Sequence, residues 1–261
     1  MVGLDRTGDV WVGTFPGLGT VRVWADGRIA AEAEPAQGPD ADETAEQRHA
    51  ALIHGWGEPL ALARQGYHVA HAAALVPPAS DDQSGPVALL VAGDLHDTAI
   101  VVLGLAARGW RVLADRLTPL TWPGDGGAPV AHPRQAPVVA SARRAERFEL
   151  PTTPTRAHTD AVTVDVARAT QPRPLGAIVT VRIRRPHDPL LDLLRGHRRV
   201  ETAQGLIAAG ALTAQSGDDD HPAAAMARTL RLAALPMAAI HLDPVDPAPA
   251  LDALIAWWAE Q

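Results

Sequence analysis

Cysteine, lysine and asparagine are absent from the 261 residues, and aromatic side chains make up only 4%. Without cysteine there is no disulfide, no thiol nucleophile and no Cys-ligated zinc. All 23 basic residues are arginine. Losing lysine and asparagine together fits the codon bias of a GC-rich genome. A catalytic lysine resists such drift, however, because arginine replaces neither a compact ammonium nor a titratable amine. Schiff-base chemistry and any lysine-dependent phosphate loop are therefore excluded. No apolar run approaches the roughly 18–20 residues of a membrane span. The opening MVGLDRTGDVWVGTF lacks the basic flank and apolar stretch of a signal peptide. A net charge of −7 with no basic tail gives no electrostatic footprint for nucleic acid. What is present, 47% hydrophobic residues in a chain of this length, suffices for a sizeable core. The expectation is a soluble, cytoplasmic globule of one domain, with room for a small appendage.

Hydrophobic patterning divides the chain. Val10–Phe15 and Thr20–Trp24 alternate as strands, split by Pro16-Gly17, and Asp26-Gly27 signals a hairpin before Arg28–Ala33. Residues 34–45 read as an acidic surface loop, and helical patterns follow over about 43–53 and from Pro59 to a stop at Gly66. His68–Val76 reads as a buried strand ending at Pro77-Pro78, and Ala79–Gly85 as a polar loop. Val87–Val91 is wholly apolar, as in the middle of a parallel sheet. It leads through Ala92–Thr98 into a helix near Ala99–Arg108, a stop at Gly109 and a strand Arg111–Ala114, a βαβ crossover. Thr121–Pro137 reads as a long Gly/Pro-rich loop. Further strands are expected at Ala161–Val166, Ile178–Ile183 and Met237–Leu242. Helices are expected at Pro189–Leu194, Glu201–Leu212, Ala223–Ala234 and Ala250–Ala259.

A strand, a short loop opening a helix, and a second strand ending at Asp115 form the frame of a phosphate-binding site. That chemistry needs loop glycines whose N–H groups cradle phosphate, a lysine on the β/γ-phosphates and a Ser/Thr on magnesium. Aligned from Gly93, the pattern G-x-x-x-x-G-K-[ST] keeps only its first glycine: Thr98 stands at the second, Ala99 at the lysine and Ile100 at the hydroxyl. Asp94 and Asp97 stand where a polyphosphate would lie, each repelling it by roughly 1 kcal/mol or more at close range. The frame is kept and its chemistry is gone.

These segments resemble the C-terminal domain of HPr kinase/phosphorylase, particularly the HPr-kinase-like proteins of ribosomal peptide pathways such as those for lasso peptides. His71-Ala72-Ala73-Ala74 is similar to the family's LHASA strand, and LGLAARGWRVLADRLTPL at 103–120 to its LALARRGxxLLSDDVxxL. Leu175–Val181 with Pro189–Arg195, and Met237–Leu242 with Ala250–Trp258, are similar to later elements, so the likeness spans about residues 50–258. The resemblance implies an α/β fold of the P-loop-kinase type: a mixed sheet flanked by helices over 36–261, preceded by a small β-rich part over 1–35. By position, His71 matches the family's strand histidine and Asp115 the first of its paired aspartates; Arg116 replaces the second. The implied site is thus Asp115 and His71 as catalytic residues if the protein is active, with Gly93 and Thr98 in a vestigial nucleotide loop.

Other readings stand beside these. Asp115 serves equally as a cap at a strand end, and His71 as a hydrogen-bonded core histidine. His96-Asp97 is a conceivable acid/base pair, although adjacent residues rarely face each other. His68 and His71 fall on opposite faces of a strand, against a shared metal. Asp218-Asp219-Asp220-His221 suits a solvated loop capping the next helix better than a cation site. Arg182, Arg184 and Arg185 make a basic edge for an acidic partner or simply protect a sheet edge. One ring of Trp257 and Trp258 is expected in the core, with the other partly exposed. The leading reading is a catalytically degenerate accessory protein with no cofactor and no metal. It binds a precursor peptide or pathway protein through Arg184 and Arg185, contacts neither nucleic acid nor membrane, and leaves homo-oligomerisation open. The alternative is an active phosphotransferase using ATP and Mg2+, with arginines such as Arg116 or Arg108 in place of the lysine. A third, a new hydrolase or transferase around His71, His96 and Asp115, has less behind it.

Overall fold

A computed structural model describes residues 3–35, 44–78, 88–124, 126–155, 160–214 and 222–261. The Asp218–His221 cluster, the Ala79–Gly85 loop and most of the acidic 34–45 loop lie outside them. The chain divides into two compact units, Met1–Val69 with Gly210–His221 and Ala70–Ala209 with Pro222–Gln261.

The first unit holds an antiparallel meander of β1 (Gly3–Thr7), β2 (Val10–Phe15), β3 (Gly19–Trp24) and β4 (Ile29–Ala33). Strand β1, with the polar sequence GLDRT, is not anticipated from the pattern, and every residue of it pairs with β2. The β3–β4 turn works as its sequence suggests. Gly27 takes a φ of 82°, which costs glycine little, and the Asp26 carboxylate accepts the Arg28 N–H at 3.1 Å. Alternate residues Phe15, Val21 and Val23 pack with Leu52 and Leu60 of helices α1 (Ala45–Leu52) and α2 (Glu58–Arg64). Thr44 and Gln47 form a reciprocal cap that starts α1. The buried Arg48 donates to the Glu34 and Gly17 carbonyls.

The second unit is a mixed sheet between helices, as expected for the α/β class. Strand β5 (His68–Ala70) leads into it, and the expected strand 68–76 is broken at His71 before β6 (Ala72–Val76). Central β7 (Ala88–Ala92) is followed by α3 (Leu95–Ala106) and β8 (Arg111–Ala114), so the helix starts four residues earlier than its pattern suggested. Short strands β9 (Thr118–Thr121) and β10 (Val130–Ala131) pair with each other, so the expected loop Thr121–Pro137 contains β10 and the last residue of β9. A three-stranded sheet follows, of β11 (Val138–Ser141), β12 (Thr152–Pro154) and β13 (Ala161–Val164), with α4 (Ala142–Arg147) between its first two strands. The long β14 (Arg173–Ile183) runs parallel to β7.

Pro189–Leu194 is not helical: Leu191–Leu193 is strand β15, antiparallel to β16 (Met237–Leu242). Its apolar spacing suits a helix, but pairing with β16 overrides local preference. Helices α5 (His197–Ala214), α6 (Pro222–Ala234) and α7 (Ala248–Ala259) complete the unit. One face of the sheet packs with α3 and α7 through residues such as Val91, Val179, Leu103 and Leu251. The other face packs with α5 and α6 through Leu90, Ile178, Leu206 and Leu232. Trp257 is buried and Trp258 is half-buried, edge-on to Trp110 at 5.5 Å.

Candidate functional site

Strands β14 and β16 run parallel to β7, and β6 is antiparallel to both β7 and β8. The carboxyl ends of β7, β8, β14 and β16 therefore collect at one edge, where β6 begins. In open α/β sheets this is the edge that binds ligands. Register brings the expected residues to it. Ala72 pairs with Ala92 and Ala74 with Ala114, so His71 stands next to Gly93 across the ladder and Asp115 follows at the end of β8. The Thr118 hydroxyl donates to the Ala72 carbonyl at 2.8 Å and ties the start of β6 to the segment after β8.

The connection from β7 to α3 is two residues, Gly93 and Asp94. The Thr98 N–H donates to the Asp94 carbonyl at 2.9 Å, so the helical ladder begins at once. Gly93 is needed for close packing: an added Cβ would lie 3.1 Å from both Cβ and O of Val181, and 3.3 Å from Thr98 Oγ1. Thr98 is buried and its hydroxyl makes no hydrogen bond. His96 and Asp97 fall in the first turn of α3. His71 lies at the surface between β5 and β6, where partial desolvation lowers its imidazolium pKa and favours the neutral ring.

Asp115 is 7% exposed. Burial pushes its carboxyl above the usual carboxylate range, against the opposing charges of Arg116, Arg168 and Arg134. The turn after it is strained. Leu117 N–H donates to the Asp115 carbonyl at 2.7 Å, and Arg116 between them has a φ of 63°. A non-glycine residue in that region costs about 1–3 kcal/mol, which the surroundings must hold. They do: Arg116 Nε lies 3.8 Å from Asp115 Oδ2, and Nη2 donates to the Val139 carbonyl at 3.2 Å.

Arg134 and Arg168 are contributors that sequence reasoning missed. Arg134 donates its N–H to the Leu113 carbonyl at 2.8 Å, and Arg168 forms a parallel bridge with Val112. Both are thus set beside β8 by backbone pairing from distant segments. Arg108, named above as a substitute for lysine, is engaged elsewhere: it donates to the Gly104 carbonyl and to Asp252, each at 3.0 Å.

Strand β14 pairs with β7 on one side and β16 on the other, so its arginines do not protect a sheet edge, the alternative their sequence allowed; they stand at the carboxyl rim. Arg182, Arg184 and Arg185 are exposed at and beyond the end of β14. Arg184 N–H donates to the Leu242 carbonyl at 2.8 Å and Arg185 N–H to Asp188 at 2.8 Å, so the backbone is fixed while the guanidinium groups face solvent. The Arg185 N–H, aided by His241, holds the Asp188 carboxyl below its usual range. His241 itself is buried on β16, with Nδ1 3.4 Å from Asp188 Oδ2, a long contact. Among the described residues no group of three or more His, Asp or Glu is arranged to hold a metal ion, and no helix is long and apolar enough to cross a membrane.

No family model matches the chain, and no curated protein matches it. Among solved structures it is similar to the HPr(Ser) kinase/phosphatase from Coxiella burnetii. The identity is 11%, over 74% of this chain and 97% of that one, with a TM-score of 0.35. A likeness this distant assigns neither family nor activity.

Proposed function

We propose that this chain is a non-catalytic, HPr-kinase-like protein that acts by binding, as an accessory to a ribosomal peptide modification pathway. The observation that carries the reading is the β7–α3 connection: two residues, one of them an aspartate, in a chain without lysine. A phosphate-wrapping loop needs several successive N–H groups turned inward and a cation on the outer phosphates. The residues at this connection do not fit ATP and magnesium. The pathway assignment rests on the motif resemblance at His71–Ala74, 103–120 and 175–181. The partner is a precursor peptide or pathway protein with acidic character, met by Arg184 and Arg185, whose side chains are exposed on a fixed backbone. The rival, an active phosphotransferase with ATP and Mg2+, is favoured only by the arginines beside Asp115.

The experiment is pathway output from two variants at matched expression and folding. Arg184→Glu with Arg185→Glu is expected to weaken partner binding, blunt its salt dependence and lower output. Asp115→Asn is expected to leave output nearly intact, because removing a general base would instead cost about 10²–10⁴-fold. Loss of output with Asp115→Asn alone would overturn the binding reading in favour of an enzyme.

A further inference from the structure

We propose that β15 is an open sheet edge that receives an extended, acidic segment of the partner as an added strand. The proposal rests on the binding reading above and names the form in which the partner is held.

Backbone register is the first argument. Strand β15 pairs with β16 alone, and in an antiparallel ladder alternate residues turn their N–H and C=O toward the neighbour. The His241 N–H donates to the Leu190 carbonyl at 2.9 Å, and the Leu194 N–H to the Met237 carbonyl at 2.9 Å. Leu190, Asp192 and Leu194 therefore face β16, and the N–H and C=O groups of Leu191 and Leu193 point away from it. Among the described residues no group takes them. An edge of this kind accepts a further strand. Leu193 is 42% exposed and offers that strand an apolar contact.

Charge is the second. Between Arg182 and Arg199 stand six arginines and two aspartates, in a chain of net −7. The turn closed by the Asp188 N–H on the Arg185 carbonyl leads into β15, and Arg195 follows it. Arg184, Arg185 and Arg195 are all exposed. The one carboxylate of the strand, on Asp192, accepts from Arg198 at 2.8 Å and is offset. Basic side chains thus flank both ends of the open edge, and an acidic strand complements them. The same charges oppose self-pairing, because two copies joined edge to edge would bring like arginines together.

The test is calorimetric titration of the full chain, at neutral pH and low salt, with a capped octapeptide of alternating Glu and Val. Saturable binding is expected. The same peptide methylated at every amide nitrogen keeps its charge but donates no hydrogen bond. It is expected to bind about tenfold more weakly, which corresponds to about 1.4 kcal/mol. Leu193→Pro deletes only an outward N–H and spares the β16 ladder, and should weaken the parent peptide by a similar factor. If that variant fails to fold, the methylated peptide decides. Arg184→Glu with Arg185→Glu is expected to weaken binding and flatten its salt dependence. An effect of the arginine reversal alone, with indifference to Leu193→Pro and to methylation, would overturn strand addition and leave the binding reading standing. An effect of Leu193→Pro and methylation without one of the arginines would overturn the acidic partner, here and in the binding reading alike. Dimerisation of the chain alone that Leu193→Pro abolishes would give the edge to a second copy and overturn the proposal. No saturation up to about 1 mM peptide would overturn it too.

Discussion

Along β8, Val112, Leu113 and Ala114 are wholly buried and uncharged, whereas the next two residues, Asp115 and Arg116, carry opposite charges in a strained turn. The same change occurs along β14, from buried Ile178 and Val179 to exposed Arg182, Arg184 and Arg185, and along β7, from Leu90 and Val91 to Gly93 and Asp94. The sheet interior and its carboxyl rim are made of the same strands under different constraints. Inside, alanines on β6 and branched residues on β7 and β14 fill space between helices, and any apolar set of matching volume would serve. At the rim, conformation and charge are specific. Arg116 occupies a backbone region that favours glycine, and Arg168 holds a buried donor with no acceptor among the described residues. The lesson is that apolar burial is concentrated in the interior, and charge and backbone strain at the rim.

That division can be broken or sharpened by substitution. The largest effect is expected inside: Leu90→Ala, at a fully buried position, should cost about 2–5 kcal/mol in chemical denaturation. Next comes the approach of α3 to its neighbours. A Cβ on Gly104 would lie 2.3 Å from Leu251 Cδ1 and 3.1 Å from Phe148 Cε1, so Gly104→Ala should cost about 1–3 kcal/mol, less if Leu251 changes rotamer.

At the rim the sign reverses. The carboxyl of Asp115 is raised in the folded protein, so the stability tied to its protonation is complete below the unfolded value near 3.8 and is lost as pH rises through the folded one. Asp115→Asn should therefore raise Tm modestly at neutral pH, with the gain vanishing as pH falls toward 4. A destabilising Asp115→Asn at neutral pH would show that the arginines, not burial, dominate there. The smallest effect on stability, within about 0.5 kcal/mol, is expected for Arg184→Glu with Arg185→Glu, because both side chains are exposed.

What could be read from the sequence follows the same division. Met237–Leu242, apolar except for His241, forms a strand over those same residues, and the Asp26-Gly27 hairpin is a local signal with a local outcome. Strand β1 was hidden because Asp5 and Arg6 make it polar, and β15 because LLDL suits a helix until β16 is there to pair with it. Asp115 and His71 were visible as residues, but their neighbours were not. Arg168 reaches β8 through a parallel bridge to Val112, and Arg134 through a backbone bond to Leu113, both from segments with no periodic pattern. Such pairings come from topology, which no local pattern encodes.

The central claim, that the frame of a phosphate-binding site is kept here without its nucleotide chemistry, is tested most directly by calorimetric titration with ATP and magnesium. The account predicts no magnesium-dependent affinity in the micromolar range, and no change on Asp94→Asn, because the two-residue β7–α3 connection offers neither a nest of N–H groups nor a lysine. Magnesium-dependent micromolar binding that is lost on altering Gly93 or Thr98 would contradict it.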